Sequence, residues 1–164
     1  MIVAQARLPC FYRDYAVADT VNGRFDLIVL HLTLLLDRLS RDAALKALGQ
    51  GVFDLFCQDM DHNLREMGVG YIKVPKEMKH MGEAFYGRSQ AYKAALAAPG
   101  EQALVEAVAR NIYGVSPPEA AALAPRLAAY MRLAVRDLAA QDTASLSAGK
   151  LHFPDPAAVH LDKT

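Results

Sequence analysis

Asp59, His62 and Glu66 are the residues of this sequence whose types could do chemistry together. Their spacing of i, i+3 and i+7 sets an acid, an imidazole and a second acid on one face of a helix. Oxygen and nitrogen donors so placed could ligate a transition metal. They could also supply general acid–base catalysis if a pocket and a second titrating partner stood opposite. Two features weigh against both. Di-metal bundles draw ligands from several helices, commonly as paired Glu-x-x-His motifs, and the sequence offers only one such motif, Glu77-Met78-Lys79-His80, not the matching set. The trio also lies away from the apolar stripe Phe53, Phe56, Met60, Leu64 and Met67, toward solvent. The plainer expectation is a solvated face with His62–Glu66 and Asp61–Arg65 pairs at i, i+4, each worth about 0.2–0.5 kcal/mol. The competing reading is a metal- or cofactor-dependent helical enzyme built on Asp59, His62 and Glu66. Apart from that trio, no catalytic residue, metal or cofactor is expected.

Other chemical signals are weaker. Gly68-Val69-Gly70-Tyr71-Ile72-Lys73 has the glycines of a phosphate loop without its Gly-Lys-Ser ending, and reads as a helix stop followed by a tight turn. His31 sits inside the most apolar run and is expected to be a hydrogen-bonded core histidine; no Cys-x-x-Cys-His signals haem attachment. Cys10 and Cys57 stand far apart and read as free thiols.

The elements that position these residues are helical. Arg24 to about Ser40 is apolar nearly all round, which predicts a helix in the middle of a bundle, with Asp19 or Thr20 before it as the cap. A second helix is expected from Asp42 to Met67, interrupted near Gly49-Gln50-Gly51, with the Phe53–Met67 stripe in the core. After a short extended turn at 68–74, Pro75 opens a third helix with Met78, Met81, Phe85, Tyr92 and Leu96 on one face. A fourth runs from Glu101 to Tyr113. A fifth begins at Ser116-Pro117 and reaches Gln141, with Pro125 as a kink. Residues 1–20 are expected to be an extended lead-in and 142–164 an irregular tail. The expectation is an all-α, single-domain bundle of about five to seven helices over 1–164.

Eighteen basic and eighteen acidic residues cancel, so no global field draws the chain to nucleic acid, and no sequence readout of nucleic acid is expected. The apolar run Leu27–Leu36, with a histidine inside, is too short to span a bilayer. The chain therefore reads as cytoplasmic, with membrane contact only peripheral. Around the turn, Met67, Met78 and Met81 are soft side chains expected mainly in the core. Gly82 beside the Met78–Phe85 stripe suggests a close backbone approach. Arg88, at the edge of that stripe, is expected to find a carboxylate.

The segments Gly23-Arg24-Phe25, Leu30-His31, Phe56, Asp59, Asp61, Leu64-Arg65-Glu66-Met67-Gly68, Val74-Pro75-Lys76 and Phe85-Tyr86-Gly87-Arg88 occur in this order. From Asp19 to Arg88 the chain resembles the ubiquinol–cytochrome c chaperone family; the later helices share only its general character. It departs from the family pattern at Tyr71, a place the family commonly fills with an acid. The resemblance implies a non-enzymatic assembly factor of respiratory complex III that holds newly made cytochrome b. It also implies work with a small partner protein, near the ribosome and the inner membrane. The chain begins near the family domain without a membrane anchor, which suits a bacterial member in peripheral contact with the inner membrane. A partner-binding surface is then expected on the Asp59–Arg88 hairpin: an apolar groove contacted by Met81, Phe85 and Tyr86, with Asp59, Asp61, Arg65, Lys76 and Arg88 as its charged rim.

Overall fold

Residues 26–35 are buried without a break, and the rest of the molecule is arranged to cover them. The computed structural model of the chain describes residues 1–114 and 116–159. Its helices are α1 (Ile2–Ala6), α2 (Pro9–Arg13), α3 (Val21–Ser40), α4 (Lys46–Glu66), α5 (Val74–Ala97), α6 (Gln102–Ile112), α7 (Pro118–Ala121), α8 (Ala124–Ala140) and α9 (Thr143–Ser147). The five long ones are those expected from hydrophobic periodicity. The all-α class holds, with no strand among the described residues.

Thr20 caps α3, its hydroxyl accepting from the Gly23 N–H at 3.1 Å, so the helix starts at Val21 and takes in Gly23. A side chain at Gly23 would put its Cβ 2.0 Å from the Ala18 carbonyl oxygen, which makes this glycine a requirement of the approach into α3. From there α3 packs against α1, α4, α5, α6 and α8. α6 presents Leu104, Ala107, Val108 and Ile112 to the core, and α8 presents Leu127, Met131, Ala134 and Leu138.

Several boundaries differ from the sequence expectation. The lead-in is not extended: it forms α1 and α2, which bury Ala6 and Phe11, and the segment after them buries Tyr15 and Val17. Five-residue helices do not stand alone; burial against α3 supplies what propensity cannot. α4 is not interrupted at its glycines. A 3₁₀ turn at Ala43–Leu45, capped by Asp42, leads into it, and at Gly49 a Cβ would already lie 3.4 Å from Leu39 Cβ. Pro125 does not kink a long fifth helix. Lacking an N–H and clashing with the preceding turn, it splits that helix into α7 and α8 and sits in the first turn of α8. Ser116 is not the cap, since Pro117 occupies the N-cap position of α7. The tail contains α9, capped by Asp142, and a 3₁₀ turn at Pro156–Ala158 capped by Asp155; residues 160–164 lie outside the described residues.

A polar chain inside the core holds both ends of the protein against α3. The Leu27 carbonyl can only accept, so His31 Nδ1 carries the proton and donates to it at 2.7 Å. His31 Nε2 then accepts from the Tyr130 hydroxyl at 2.9 Å, and that oxygen accepts from Gln5 Nε2 at 3.0 Å. Gln5 Nε2 also donates to the Pro154 carbonyl at 3.0 Å. Phe11 and Phe153 meet the imidazole edge-on, with ring centroids 5.4 and 5.1 Å away. Nearby, Tyr15 donates to the Pro156 carbonyl and Tyr113 to the Tyr15 carbonyl, each at 2.7 Å. Full burial lowers the His31 pKa from 6.5 to about 4, so the imidazole stays neutral, as the network requires.

Tyr130→Phe leaves His31 Nε2 buried without a donor. The expected loss is about 1–3 kcal/mol of unfolding free energy, measured as a lower urea midpoint at neutral pH with unchanged helical circular dichroism.

Candidate functional site

Asp59, His62 and Glu66 do share one face of α4, and that face is solvated. His62 and Glu66 side chains are 72% and 65% exposed and meet at 3.1 Å, and Arg65 pairs with Asp61 at 2.6 Å. These are the two i, i+4 pairs the spacing predicts. No group of three or more side chains able to hold a metal comes together among the described residues.

The concave surface lies along α3. Ile28, Leu32 and Leu35 of α3, Ile2 and Val3 of α1, and Val52, Leu55, Phe56 and Met60 of α4 enclose a groove of about 300 Å³. A second groove of about 300 Å³ shares Ile28 and Met60 with it and is lined further by Val21, Phe25, Leu64, Met67 and Met81. A third hollow of about 480 Å³ continues from Phe25, Leu64, Met67 and Met81 to Asp26, Arg88 and Arg110. Together they form one largely apolar track, edged in its middle by Arg7, Arg24 and Glu66 and closed at its end by Asp26, Arg88 and Arg110.

The track exists because α4 is only partly covered. Of the expected core stripe, Leu64 alone is buried; Phe53, Phe56 and Met60 are half-buried, and Met67 is 58% exposed. Met78 and Met81 are also half-buried, so the three methionines are not core residues. Phe85 fills the inside of the α4–α5 hairpin, its ring 5.3 Å from Phe53 and 5.8 Å from Phe56. The connection between the helices consists of turns. Gly68 takes a φ of +79°, open to glycine but strained for other residues. Tyr71 and Ile72 stand out at the tip, 79% and 91% exposed, with the Arg65 guanidinium 5.3 Å from the Tyr71 ring. Gly82 is not a close approach, for nothing described lies within 4 Å of where its Cβ would be.

Arg88 finds the carboxylate its position calls for. Its Nη2 lies 2.7 Å from Asp26 Oδ1, and its guanidinium carbon is 5.9 Å from the Phe25 ring centroid. The alignment is poor for hydrogen bonding. Asp26 Oδ1, Arg88 Nε and the Tyr92 hydroxyl are buried with no hydrogen-bond partner among the described residues. Burial therefore outweighs the neighbouring cation and lifts the Asp26 pKa from 3.8 to about 6.

Of the expected surface residues, Met81 and Arg88 line the track and Asp59 borders its first groove. Asp61 and Arg65 form a pair toward the tip, Lys76 and Tyr86 are exposed outside the three hollows, and Phe85 is occupied within the hairpin. Sequence reasoning missed Val21, Phe25, Leu55 and the α1 wall. Val21 and Leu55 carry a readable signal, as apolar residues that leave the core period of their helices. The α1 wall carries none, because a long-range contact creates it.

The family model for the ubiquinol–cytochrome c chaperone matches residues 13–153. The chain belongs to the ubiquinol–cytochrome c chaperone family. The crystal structure of the Cbp3 homolog from Brucella abortus is similar to it, with a TM-score of 0.84 and 40% sequence identity over 97% of this chain and 87% of that one. No curated protein matches the chain. Family membership thus extends well past Arg88, where the readable motifs stop, into α6 and α8.

Within this family member, the Asp26 and His31 pKa values set opposing pH slopes. Between pH 3.8 and about 6 the folded chain keeps a proton on Asp26 that the unfolded chain has lost, so stability falls as pH rises. Between about 4 and 6.5 the unfolded chain protonates His31 and the folded chain does not, so stability falls as pH drops. The two offset each other. Asp26→Asn removes the first, whatever it does to the level of stability. The drop in unfolding free energy from pH 7 to pH 4.5 is then expected to exceed that of the unsubstituted protein by about 2 kcal/mol. Equal slopes in urea titrations would show that Asp26 stays ionised in the folded chain.

Proposed function

We propose that this chain is an assembly chaperone of the ubiquinol–cytochrome c reductase, respiratory complex III, and that it holds newly made cytochrome b. The observation that carries the reading is the track along α3, which joins exposed and half-buried Leu55, Phe56, Met60, Met67 and Met81 into one apolar surface. A membrane protein before insertion offers apolar helices that need temporary cover, and an apolar helix laid into a groove supplies it. Methionines along the track suit a client held in more than one register. No helix of the described residues is long and apolar enough to cross a membrane.

On this reading Asp59, Asp61, Arg65, Lys76 and Arg88 steer the client, and the apolar residues supply most of the affinity. Tyr86 extends the surface along α5. The tip formed by Tyr71 and Ile72 suits the small partner protein or the ribosome. The role needs no catalytic residue and no cofactor.

The reduced-minus-oxidised haem b spectrum of membranes from a strain lacking the gene is expected to lose its complex III component. The unsubstituted gene restores it. Leu55→Glu combined with Met67→Glu, both at exposed positions and compatible with folding, does not. Full restoration by that variant would sink the proposed surface. Photo-cross-linkers at Met67, Met81 and Tyr86 are expected to capture cytochrome b, and one at exposed Ala139 on α8 is not; the reverse pattern would move the site.

A further inference from the structure

A second concavity, of about 600 Å³, lies where the C-terminal ends of α3 and α5 meet the start of α6 and the middle of α8. Its charged lining is Asp37, Arg41, Lys93, Glu101, Arg132 and Arg136, four cations against two carboxylates on a chain whose total charge is zero. Asp37 is already taken: Arg41 Nε and Nη2 both reach its Oδ2, at 2.9 and 2.6 Å. Lys93 and Arg136 form no ion pair among the described residues. Arg132 donates through Nη2 to the Gly100 carbonyl, yet its Nε is buried with no partner. Glu101 occupies the N-cap position of α6 without capping it, and the first turn holds no acid. Leu104 and Val105 N–H groups bond the Glu101 carbonyl, and Glu101 lines the cleft, so the start of α6 with the positive end of its dipole lies beside it.

We propose that this cleft binds a phosphate-bearing anion, with Lys93, Arg132 and Arg136 as its recognition residues. Three cations and a helix N-terminus around one hollow match an anion with several oxygens and more than one charge. Leu96 and Val135 also line the cleft, so apolar surface lies beside the cations. That combination suits phosphate carried on an apolar body, as in an anionic lipid headgroup, better than the free ion. The inference stands on this cleft alone and does not depend on the track along α3.

The test uses the full chain and three probes: phosphatidylcholine vesicles, the same vesicles containing phosphatidylglycerol, and inorganic phosphate. Sedimentation with the phosphatidylglycerol vesicles at low salt is expected, with none on phosphatidylcholine alone. Lys93→Gln with Arg136→Gln is expected to weaken it by about fivefold for each cation removed. Neither side chain is tied into the fold, so the thermal midpoint should not change. Lys93→Arg with Arg136→Lys keeps the charges and should keep the binding. If vesicles fail but inorganic phosphate shifts the amide resonances of Gln102 and Ala103, and fails to do so in the double glutamine variant, the site is real and its source is free phosphate. Binding that ignores the double substitution, or no response to any probe, overturns the proposal.

Discussion

A helix with no polar face must be covered on every side, and α3 is such a helix from Asp26 to Leu35. It places one imidazole, His31, at its centre. A buried imidazole needs both nitrogens satisfied, and an unsatisfied one costs about as much as a lost core contact. The helix itself satisfies Nδ1 through the Leu27 carbonyl. Nε2 has to be satisfied from elsewhere, and the Tyr130 hydroxyl does it from α8. Through Gln5, the same hydroxyl reaches α1 and the Pro154 carbonyl. One helix-bound histidine thus ties together segments from both ends of the sequence. The short helix α1 is held by that tie, and α2 packs Phe11 against the same imidazole.

Cover for α3 is uneven, and the unevenness produces the apolar track proposed as the docking surface. α5, α6 and α8 supply closely packed apolar faces. α4 supplies one buried residue in its second half, Leu64, and α1 is only five residues long. Between these two partial covers, Ile28, Leu32 and Leu35 stay roofed well enough to count as buried while still lining a groove. A client helix there would complete the burial that α3 already demands. The cost of leaving the groove open in the free protein is modest, because α3 is buried from Asp26 to Leu35 and the exposed apolar side chains lie around it, as Val3, Val21, Leu55 and Met67 do.

The long helices were legible because burial marks the sequence, as an unbroken apolar run in α3 and as a helical period in α6 and α8. The same logic misjudged α4. An apolar stripe reports only that a face is to be covered, and Met67 and Met60 read alike whether the cover is internal or comes from another molecule. The end segments were illegible for a different reason: Gln5, Tyr15 and Pro156 carry no local signal, and their structure comes from bonds across more than a hundred residues. Pro125 was visible but misread, since a proline can end one helix or open the next and only the packing of Ala124 and Leu127 decides. Of the candidate site, the ion pairs of α4 and the need of Arg88 for a carboxylate could be read directly. The track could not be, because its walls come from helices that are distant in sequence.

Helix α5 links the two surfaces. Met81 and Arg88 of this helix line the track, and further along its last turns contribute Lys93 and Leu96 to the cationic cleft. The helix changes character between them, at Ser89 and Tyr92, where it dives into the core beside α3. Asp26 sits at this crossing with Arg88 and the unpartnered Tyr92 hydroxyl. A buried carboxylate held by one misaligned cation is a weak joint, because any shift of α5 against α3 changes its desolvation and its pairing together. The polar groups left unsatisfied there lie on α5 and α3 between the two surfaces.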